Sequence, residues 1–295
     1  MSATETRTKR NDEIYPPHLL AQKLSNRASY LILTRYYNES ITLLTKALRL
    51  SQKHNPTGLD SQSCASTFCS LDSSVGMEEN QYQSILNREH EEYCNNQNNV
   101  VRHSSSQQEQ DELQINSENQ DGFVYSRPLL VPKVCIEEGH YMGKPSTLII
   151  MYNLALAHHL KAIAMNDSQS SCSLLEGYSM KVIKQALKLY ELTYQLHCEN
   201  TCELEQHPKL QCNQEESIEQ SVTSLRFTMI ISNNLGQIHR AAGNTEKHQM
   251  CLQHLLSTIM YMVDSQIIIL HSSEMDGFYQ NVSPLMVPAN CARAA

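Results

Sequence analysis

Apolar residues recur at helical spacing in three separate stretches, residues 20–50, 146–196 and 225–262, and this recurrence constrains the fold more than any other feature. Polar or turn-forming residues divide each stretch into two halves. In the third stretch the divider is Gly243-Asn244, and both residue types tolerate the left-handed conformation that a tight helix–helix turn needs. We therefore predict an all-α fold of about three stacked antiparallel helix hairpins.

The intervening sequence has a different composition. Residues 55–120 are dominated by Ser, Gln, Asn and Glu, and such a stretch buries too little apolar surface to offset its ordering entropy. We expect a disordered linker, within which residues 80–94 can form a transient helix. Its role as a regulatory or interaction tail and its role as an inert spacer both stay open.

These patterns divide the chain into five parts. The predicted parts are a flexible N-terminus (1–14), a first helix pair (15–54), the linker (55–120), a domain of two helix pairs with polar insertions at 165–177 and 198–217 (121–272), and a C-terminal docking segment and tail (273–295). The phrase DGFVYSRPLLVPKVC at 121–135 is similar to DGFYQNVSPLMVP at 276–288. Two copies of one docking segment and a short coincidence are the two interpretations.

The three hairpins align residue by residue. The predicted packing positions are Asn26, Asn153 and Asn234, then Ala28, Ala155 and Gly236 in the first helices, and Ala186, Tyr190 and Leu252 in the second helices, where Ser40 and His248 stand in place of Ala186. Small residues at a helix crossing let the backbones approach, and larger residues fill the next turn. The asparagines have a second interpretation, in which each one bonds a neighbouring backbone.

With these positions aligned, the chain resembles the tetratricopeptide repeat (TPR) family, through NNLGQIHRAAG at 233–243 and QALKLYELTYQL at 185–196. The pairing of YNLALAHHLKA with NNLGQIH is also similar to TPR-like proteins of diatoms. The resemblance covers about half of the chain and implies a TPR-like α-solenoid. Ser40 and His248 depart from the small residue of the family pattern, and an ordinary helical bundle is the alternative fold.

The resemblance also implies a groove, lined by the inner faces of the first helices, that binds a peptide or a partner helix. By register its predicted residues are Tyr152, Leu156, His159, Asn233, Gln237 and Arg240. The amides are expected to bond the backbone of an extended peptide, and Tyr152 to act as an aromatic anchor. Arg240 is the single cation in this set, so we do not expect the C-terminal carboxylate that some family members bind through Lys and Asn.

Composition bounds the partners and the compartment. A formal net charge of −8 disfavours nucleic acid, whose binding depends on Lys and Arg. The longest apolar runs are shorter than a membrane span, and no signal peptide is expected. Ten cysteines without a secretory signal indicate reduced thiols in the cytoplasm or nucleus. Oligomeric state does not follow from the sequence.

One cluster has ligand types suited to zinc. It comprises His197, Cys198, Cys202, His207 and Cys212, but the spacing matches no familiar zinc motif, and unpaired surface thiols are the alternative. No catalytic motif is present, so no cofactor is expected. The leading hypothesis is a non-enzymatic protein-interaction or scaffold protein. The alternative is a metal- or cysteine-dependent enzyme that uses the cluster at 197–212.

Overall fold

The computed structural model describes residues 15–53, 79–98, 122–167, 173–206, 214–265 and 272–286, and all regular secondary structure within these ranges is α-helical. The described helices are α1 (Pro17–Leu33), α2 (Tyr37–Lys53), α3 (Glu79–Asn98), α4 (Lys133–Glu137), α5 (Lys144–Asp167), α6 (Ser173–Gln206), α7 (Gln214–Ala241), α8 (Thr245–Asp264) and α9 (Ser272–Met286). The prediction of an all-α fold is confirmed.

Sequential helices pack in pairs. Helix α1 packs on α2, α5 on α6 and α7 on α8, and the second helix of each pair also contacts the first helix of the next. Helix α9 contacts α8, while α3 packs on the outside of α1. The helices of the three pairs therefore bury their apolar sides against helices next to them in the chain, whereas α3 packs on α1.

Two of the turns within pairs have the same capping geometry. In the α7–α8 turn, Gly243 has a φ of 76°, its N–H donates to Arg240 O, and the Asn244 N–H donates to His239 O. In the α1–α2 turn, Arg35 has a φ of 64° and Tyr36 N–H donates to Leu31 O. Both are Schellman caps, which satisfy the last carbonyls of a helix through a left-handed residue. The predicted turn at Gly243-Asn244 is confirmed.

The two residues that depart from the repeat pattern perform the same task. Ser40 Oγ donates to Ala28 O over 3.0 Å, and His248 Nδ1 donates to Gly236 O over 2.8 Å. Each side chain thus joins the second helix of its pair to the aligned small residue of the first. At these two positions a side-chain hydrogen bond joins the paired helices, where the repeat pattern has a small residue in close backbone contact.

Several predicted irregular regions are helical. Residues 79–98 of the predicted disordered linker form α3, where only a transient helix at 80–94 was expected, and Tyr82, Ile85 and Leu86 bury against α1 and Leu130. The prediction of disorder is wrong for these residues. The described parts of the predicted polar insertions, 165–167, 173–177, 198–206 and 214–217, belong to α5, α6 and α7. Residues 1–14, 54–78, 99–121, 168–172, 207–213, 266–271 and 287–295 lie outside the described ranges.

The two similar phrases adopt different conformations. Residues 122–132 form no helix, whereas 276–286 belong to α9 and include Pro284 within the helix. The interpretation of the phrases as two copies of one docking segment is therefore wrong. Their contacts explain the difference, because the first phrase bonds to helices through its backbone and α9 packs as a helix on α8.

Within the described part of the chain, one helix is long and apolar enough to span a membrane, at Lys144–Asn166 of α5. About 61% of its most apolar window is buried inside the protein. The helix packs against both α2 and α6. Burial in the protein core accounts for its apolar composition.

Candidate functional site

Residues 122–132, the internal segment, pass along the first helices of the three pairs without forming a helix or turn. Two asparagines hold its C-terminal half. Asn153 Oδ1 accepts from Leu129 N–H over 2.8 Å, and Asn153 Nδ2 donates to Leu129 O over 2.7 Å. Asn26 forms the same two bonds with Val131, at 2.7 and 2.8 Å. Each carboxamide therefore pairs with both backbone groups of a single residue.

Two further asparagines hold the N-terminal half in the same way. Asn234 accepts from Tyr125 N–H and donates to Tyr125 O, both over 2.9 Å. Asn281 accepts from Phe123 N–H over 2.9 Å and donates to Phe123 O over 2.7 Å. Eight hydrogen bonds thus join one short segment to α1, α5, α7 and α9. We call these four side chains, Asn26, Asn153, Asn234 and Asn281, the asparagine row.

The register of the bonds indicates extended backbone. The paired residues, 123, 125, 129 and 131, are separated by even numbers, and in a β conformation such residues turn their N–H and C=O groups to the same side. The eight steps from residue 123 to residue 131, at about 3.3 Å each, span roughly 26 Å. The segment is therefore long enough to reach from α9 to α1, the helices to which its two ends bond.

The row lies in a buried polar network. Asn153 Nδ2 also donates to Ser29 Oγ over 3.1 Å, and Ser29 Oγ donates to Leu129 O over 3.2 Å. Asn234 Nδ2 lies 3.3 Å from the Tyr190 hydroxyl. Burial raises the pKa of the Tyr190 phenol far above its ordinary value, so it stays neutral. These bonds fix the orientation of the amides that receive the segment.

Aromatic side chains line the N-terminal end of the segment. The ring of Phe123 packs edge-on to Phe278 with centroids 5.3 Å apart, and Tyr125 stacks on the same ring at 6.0 Å. Phe278 is fully buried. A Cβ placed on Gly277 would lie 2.5 Å from the Phe123 ring, so the missing side chain makes room for that ring.

Helix α3 covers the segment near its proline. The Tyr82 hydroxyl donates to Pro128 O over 3.2 Å, and the Arg127 guanidinium lies 3.9 Å from the centroid of the Tyr82 ring. Leu130 is fully buried in a small cluster with Tyr82 and two other residues of α3, Ile85 and Leu86. Helix α3 therefore covers the C-terminal half of the segment, around Pro128 and Leu130.

The residues predicted to line the groove have several different positions. Tyr152 and His159 are buried in the core, both in ring contact with Tyr190, and Leu156 is fully buried. Burial lowers the pKa of His159 to about 4. These three side chains do not form an open surface, because all three are buried. The Tyr152 hydroxyl lies 3.4 Å from Asn234 Nδ2, so it supports the asparagine row from within the core.

The other three predicted groove residues lie on α7. Asn233 Nδ2 donates to Phe123 O over 3.1 Å, so this residue does meet an extended backbone. Gln237 is buried next to Gly122, where its Oε1 lies 2.6 Å from the place of a Cβ on that glycine. Arg240 is exposed.

The nine predicted packing residues, Asn26, Ala28, Asn153, Ala155, Ala186, Tyr190, Asn234, Gly236 and Leu252, are all buried. The three asparagines bond a neighbouring backbone, namely the internal segment. The fourth member of the row, Asn281, was not among the predicted residues, because the alignment covered three hairpins and ended before α9.

The predicted metal cluster is not assembled in the described residues. His197 bonds Thr228 Oγ1 over 3.1 Å and packs on Phe227, and burial lowers its pKa to about 4. Cys198 is half-buried beside Tyr194. The side chain of Cys202, together with His207 and Cys212, lies outside the described part. Within that part, no group of three or more His, Cys, Asp or Glu side chains could hold a metal ion.

No family model, curated protein or solved structure matches this chain. The class of protein that the geometry defines is thus an all-helical chain with a row of asparagines that holds an extended segment.

Proposed function

We propose that this chain is a non-enzymatic protein-interaction protein, built as a TPR-like stack of helix hairpins, whose asparagine row binds an extended polypeptide segment. One observation carries the proposal: four asparagines on four helices each pair with both backbone groups of one residue. In the isolated chain the bound segment is the chain's own residues 122–132. A partner segment binds by taking its place.

The chemistry of the row supports binding to more than one sequence. A carboxamide has an oxygen that accepts and an NH2 group that donates, and these match the N–H and C=O of any residue except proline at that position. Recognition through the main chain supplies affinity, while pockets for alternate side chains supply specificity, as in other modes of strand binding. The helices present these amides from buried, hydrogen-bonded positions, so little side-chain entropy is lost on binding.

The internal segment is a competitor for such a partner. A tether of ordinary length gives an effective concentration of about millimolar, so a free peptide has to overcome this advantage. Weakening the internal segment while leaving the row intact should therefore expose the binding activity.

A full-length chain with Phe123→Ser, Tyr125→Ser and Leu129→Ser, the vacated variant, tests this proposal. Its binding to a labelled peptide with the sequence of residues 122–133 is measured by fluorescence anisotropy. We expect the peptide to bind the vacated variant at least about 100-fold more tightly than the wild-type chain, since the tethered competitor is weakened.

The matched control adds Asn153→Asp and Asn234→Asp to the vacated variant. A carboxylate accepts from an N–H but cannot donate to a C=O, so binding should be lost. Equal binding by the control, or no binding by a folded vacated variant, contradicts the proposal.

A further inference from the structure

We infer that this site selects partner segments with two aromatic residues separated by one residue and with a basic residue two positions after the second aromatic residue, followed by a position that accepts proline and then by apolar residues. This inference rests on the proposed function and names the class of its partner. The internal segment has this pattern in Phe123, Tyr125, Arg127, Pro128 and the apolar run 129–131. Each feature meets a matching surface on the helices.

The two aromatic positions share one buried ring. Phe278 forms a T-shaped pair with Phe123 and a stacked pair with Tyr125, and aromatic pairs in both geometries are favourable. Gly277 has no side chain and so leaves room for the Phe123 ring, because an added Cβ would lie 2.5 Å from that ring. A smaller aliphatic residue would leave part of this space empty. The N-terminal part of the site therefore favours an aromatic pair.

The proline position follows from the register of the main chain. The residues whose N–H groups bond to the asparagine row, 123, 125, 129 and 131, all have odd numbers. Pro128 lies at an even-numbered position, so its missing N–H removes no hydrogen bond to the row. Its carbonyl faces the other side, where the Tyr82 hydroxyl donates to it over 3.2 Å. The nearest residues that bond to the asparagine row on either side of Pro128 are Tyr125 and Leu129. They are four residues apart, so the proline fits between them without losing a bond to the row.

Helix α3 supplies the selection around the proline. The guanidinium of Arg127 lies over the face of Tyr82, an arrangement that favours a cation. Leu130 packs against Ile85 and Leu86 of the same helix and is fully buried. An acidic residue at position 127 would lose the cation–π contact, and a charge at position 130 would be buried without a partner.

A panel of peptides distinguishes this selection from general binding of extended chains. All peptides cover residues 122–133 and are measured against the vacated variant. The changes are Phe123→Leu with Tyr125→Leu, Arg127→Glu, Pro128→Ala, and a scrambled order of the same residues. We expect the leucine peptide to bind at least about 10-fold more weakly, as the aromatic pairs are lost. The Arg127→Glu peptide should bind about 3- to 10-fold more weakly.

A variant of the protein tests the aromatic pocket from the other side. Gly277→Ala in the vacated variant should weaken binding of the unaltered peptide but leave binding of a peptide with Phe123→Ala nearly unchanged, because the three atoms nearest to the added methyl group all belong to the Phe123 ring. Gly177→Ala is the control, since Gly177 is an exposed helix residue with no atoms within 4 Å of the added Cβ.

The outcomes separate the two claims. If the unaltered peptide binds, and the leucine, Arg127→Glu and scrambled peptides bind equally well, the row binds extended segments but the selection inferred here is wrong. If no peptide binds, the proposed function itself fails. If the vacated variant does not fold alone, its peptide-dependent helical circular dichroism becomes the measurement, because a ligand of the native state drives folding. Folding restored by the unaltered peptide and not by the leucine peptide supports the inference, and no restoration by either overturns it.

Discussion

Asparagine is suited to this row because its side chain is a short copy of the peptide group. The carboxamide donates from Nδ2 and accepts at Oδ1, as a neighbouring strand would with its N–H and C=O. A buried aspartate of the same shape lacks the donor and carries a charge. Replacement of any of the four asparagines of the row by aspartate, which exchanges one NH2 group for an oxygen, is therefore expected to destabilise the protein.

Asn153→Asp is the sharpest test of that expectation. Its Nδ2 donates to both Leu129 O and Ser29 Oγ, and all three residues are buried. We predict a loss of roughly 2–4 kcal/mol in the free energy of unfolding, from unpaired acceptors and a buried charge. Urea unfolding measures it. The exposed residue Asn87 provides the control, and equal small effects from Asn153→Asp and Asn87→Asp would refute the structural role of the row.

A buried histidine makes stability depend on pH. Burial lowers the pKa of His159 from an ordinary 6.5 to about 4. Because the unfolded chain binds the proton more readily, the stabilisation is present above pH 6.5 and is lost as the pH falls from 6.5 toward 4. Replacement by Phe keeps an aromatic ring beside Tyr190 and removes the titration.

His159→Phe should reduce the slope of unfolding free energy against pH, between about pH 6 and 4.5, by up to about 1.4 kcal/mol per pH unit. Chemical denaturation at a series of pH values measures this slope. Slopes that are the same in the wild-type chain and the variant would show that His159 is not held neutral by burial.

Among the helices, α3 has the smallest share of the core. Its buried apolar residues form a separate cluster with Leu130, and its main helix–helix packing is against α1. An element with few buried contacts opens locally at a lower free energy than the rest of a protein. Helix α3 is thus expected to detach from the internal segment without unfolding the helix pairs.

Ile85→Asp places a charge in that cluster, and Ser84→Asp places one on the adjacent exposed position. Hydrogen exchange measured by mass spectrometry should show faster exchange across α3 in Ile85→Asp and no change in α5 to α8. Ser84→Asp should match the wild-type chain. Faster exchange throughout the protein would mean that α3 unfolds only together with the whole.

Local patterns predicted the helical elements well. Apolar spacing located α1, α2 and the apolar parts of α5 to α8, and Gly243-Asn244 located a turn. The periodicity is a property of each helix, so no long-range information was needed. Polar composition hid the helical extensions, and it allowed only a transient helix at 80–94 to be predicted where α3 lies. The stable packing of α3 was missed because it depends on three buried residues, Tyr82, Ile85 and Leu86.

The site was predicted only in part. Alignment brought Asn26, Asn153 and Asn234 together as equivalent residues, and one interpretation gave them a backbone to bond. It could not identify that backbone, because Asn26 pairs with a residue 105 positions away and Asn234 with one 109 positions away. Asn281 lies 158 positions from Phe123. Pairings over such separations depend on the complete fold rather than on any local pattern.

At the scale of the whole molecule, the internal segment connects helices that are distant in the chain. Residues 123–131 bond to α1, α5, α7 and α9, so one short extended segment joins the first helix of each pair to α9. Most helix–helix contacts join helices that are close in sequence, such as α1 with α2, α5 with α6 and α7 with α8. We therefore expect the bound segment to make unfolding of these helices more cooperative.

The measurement that tests this account most directly is amide hydrogen exchange, by nuclear magnetic resonance, along the internal segment of the wild-type chain. The account predicts that the amides of Phe123, Tyr125, Leu129 and Val131 exchange on the order of 100-fold more slowly than those of Val124 and Ser126. Asn153→Asp should make all four of these amides exchange faster. Uniform fast exchange from 122 to 131, with no difference between alternate residues, would show that the asparagine row does not hold the segment.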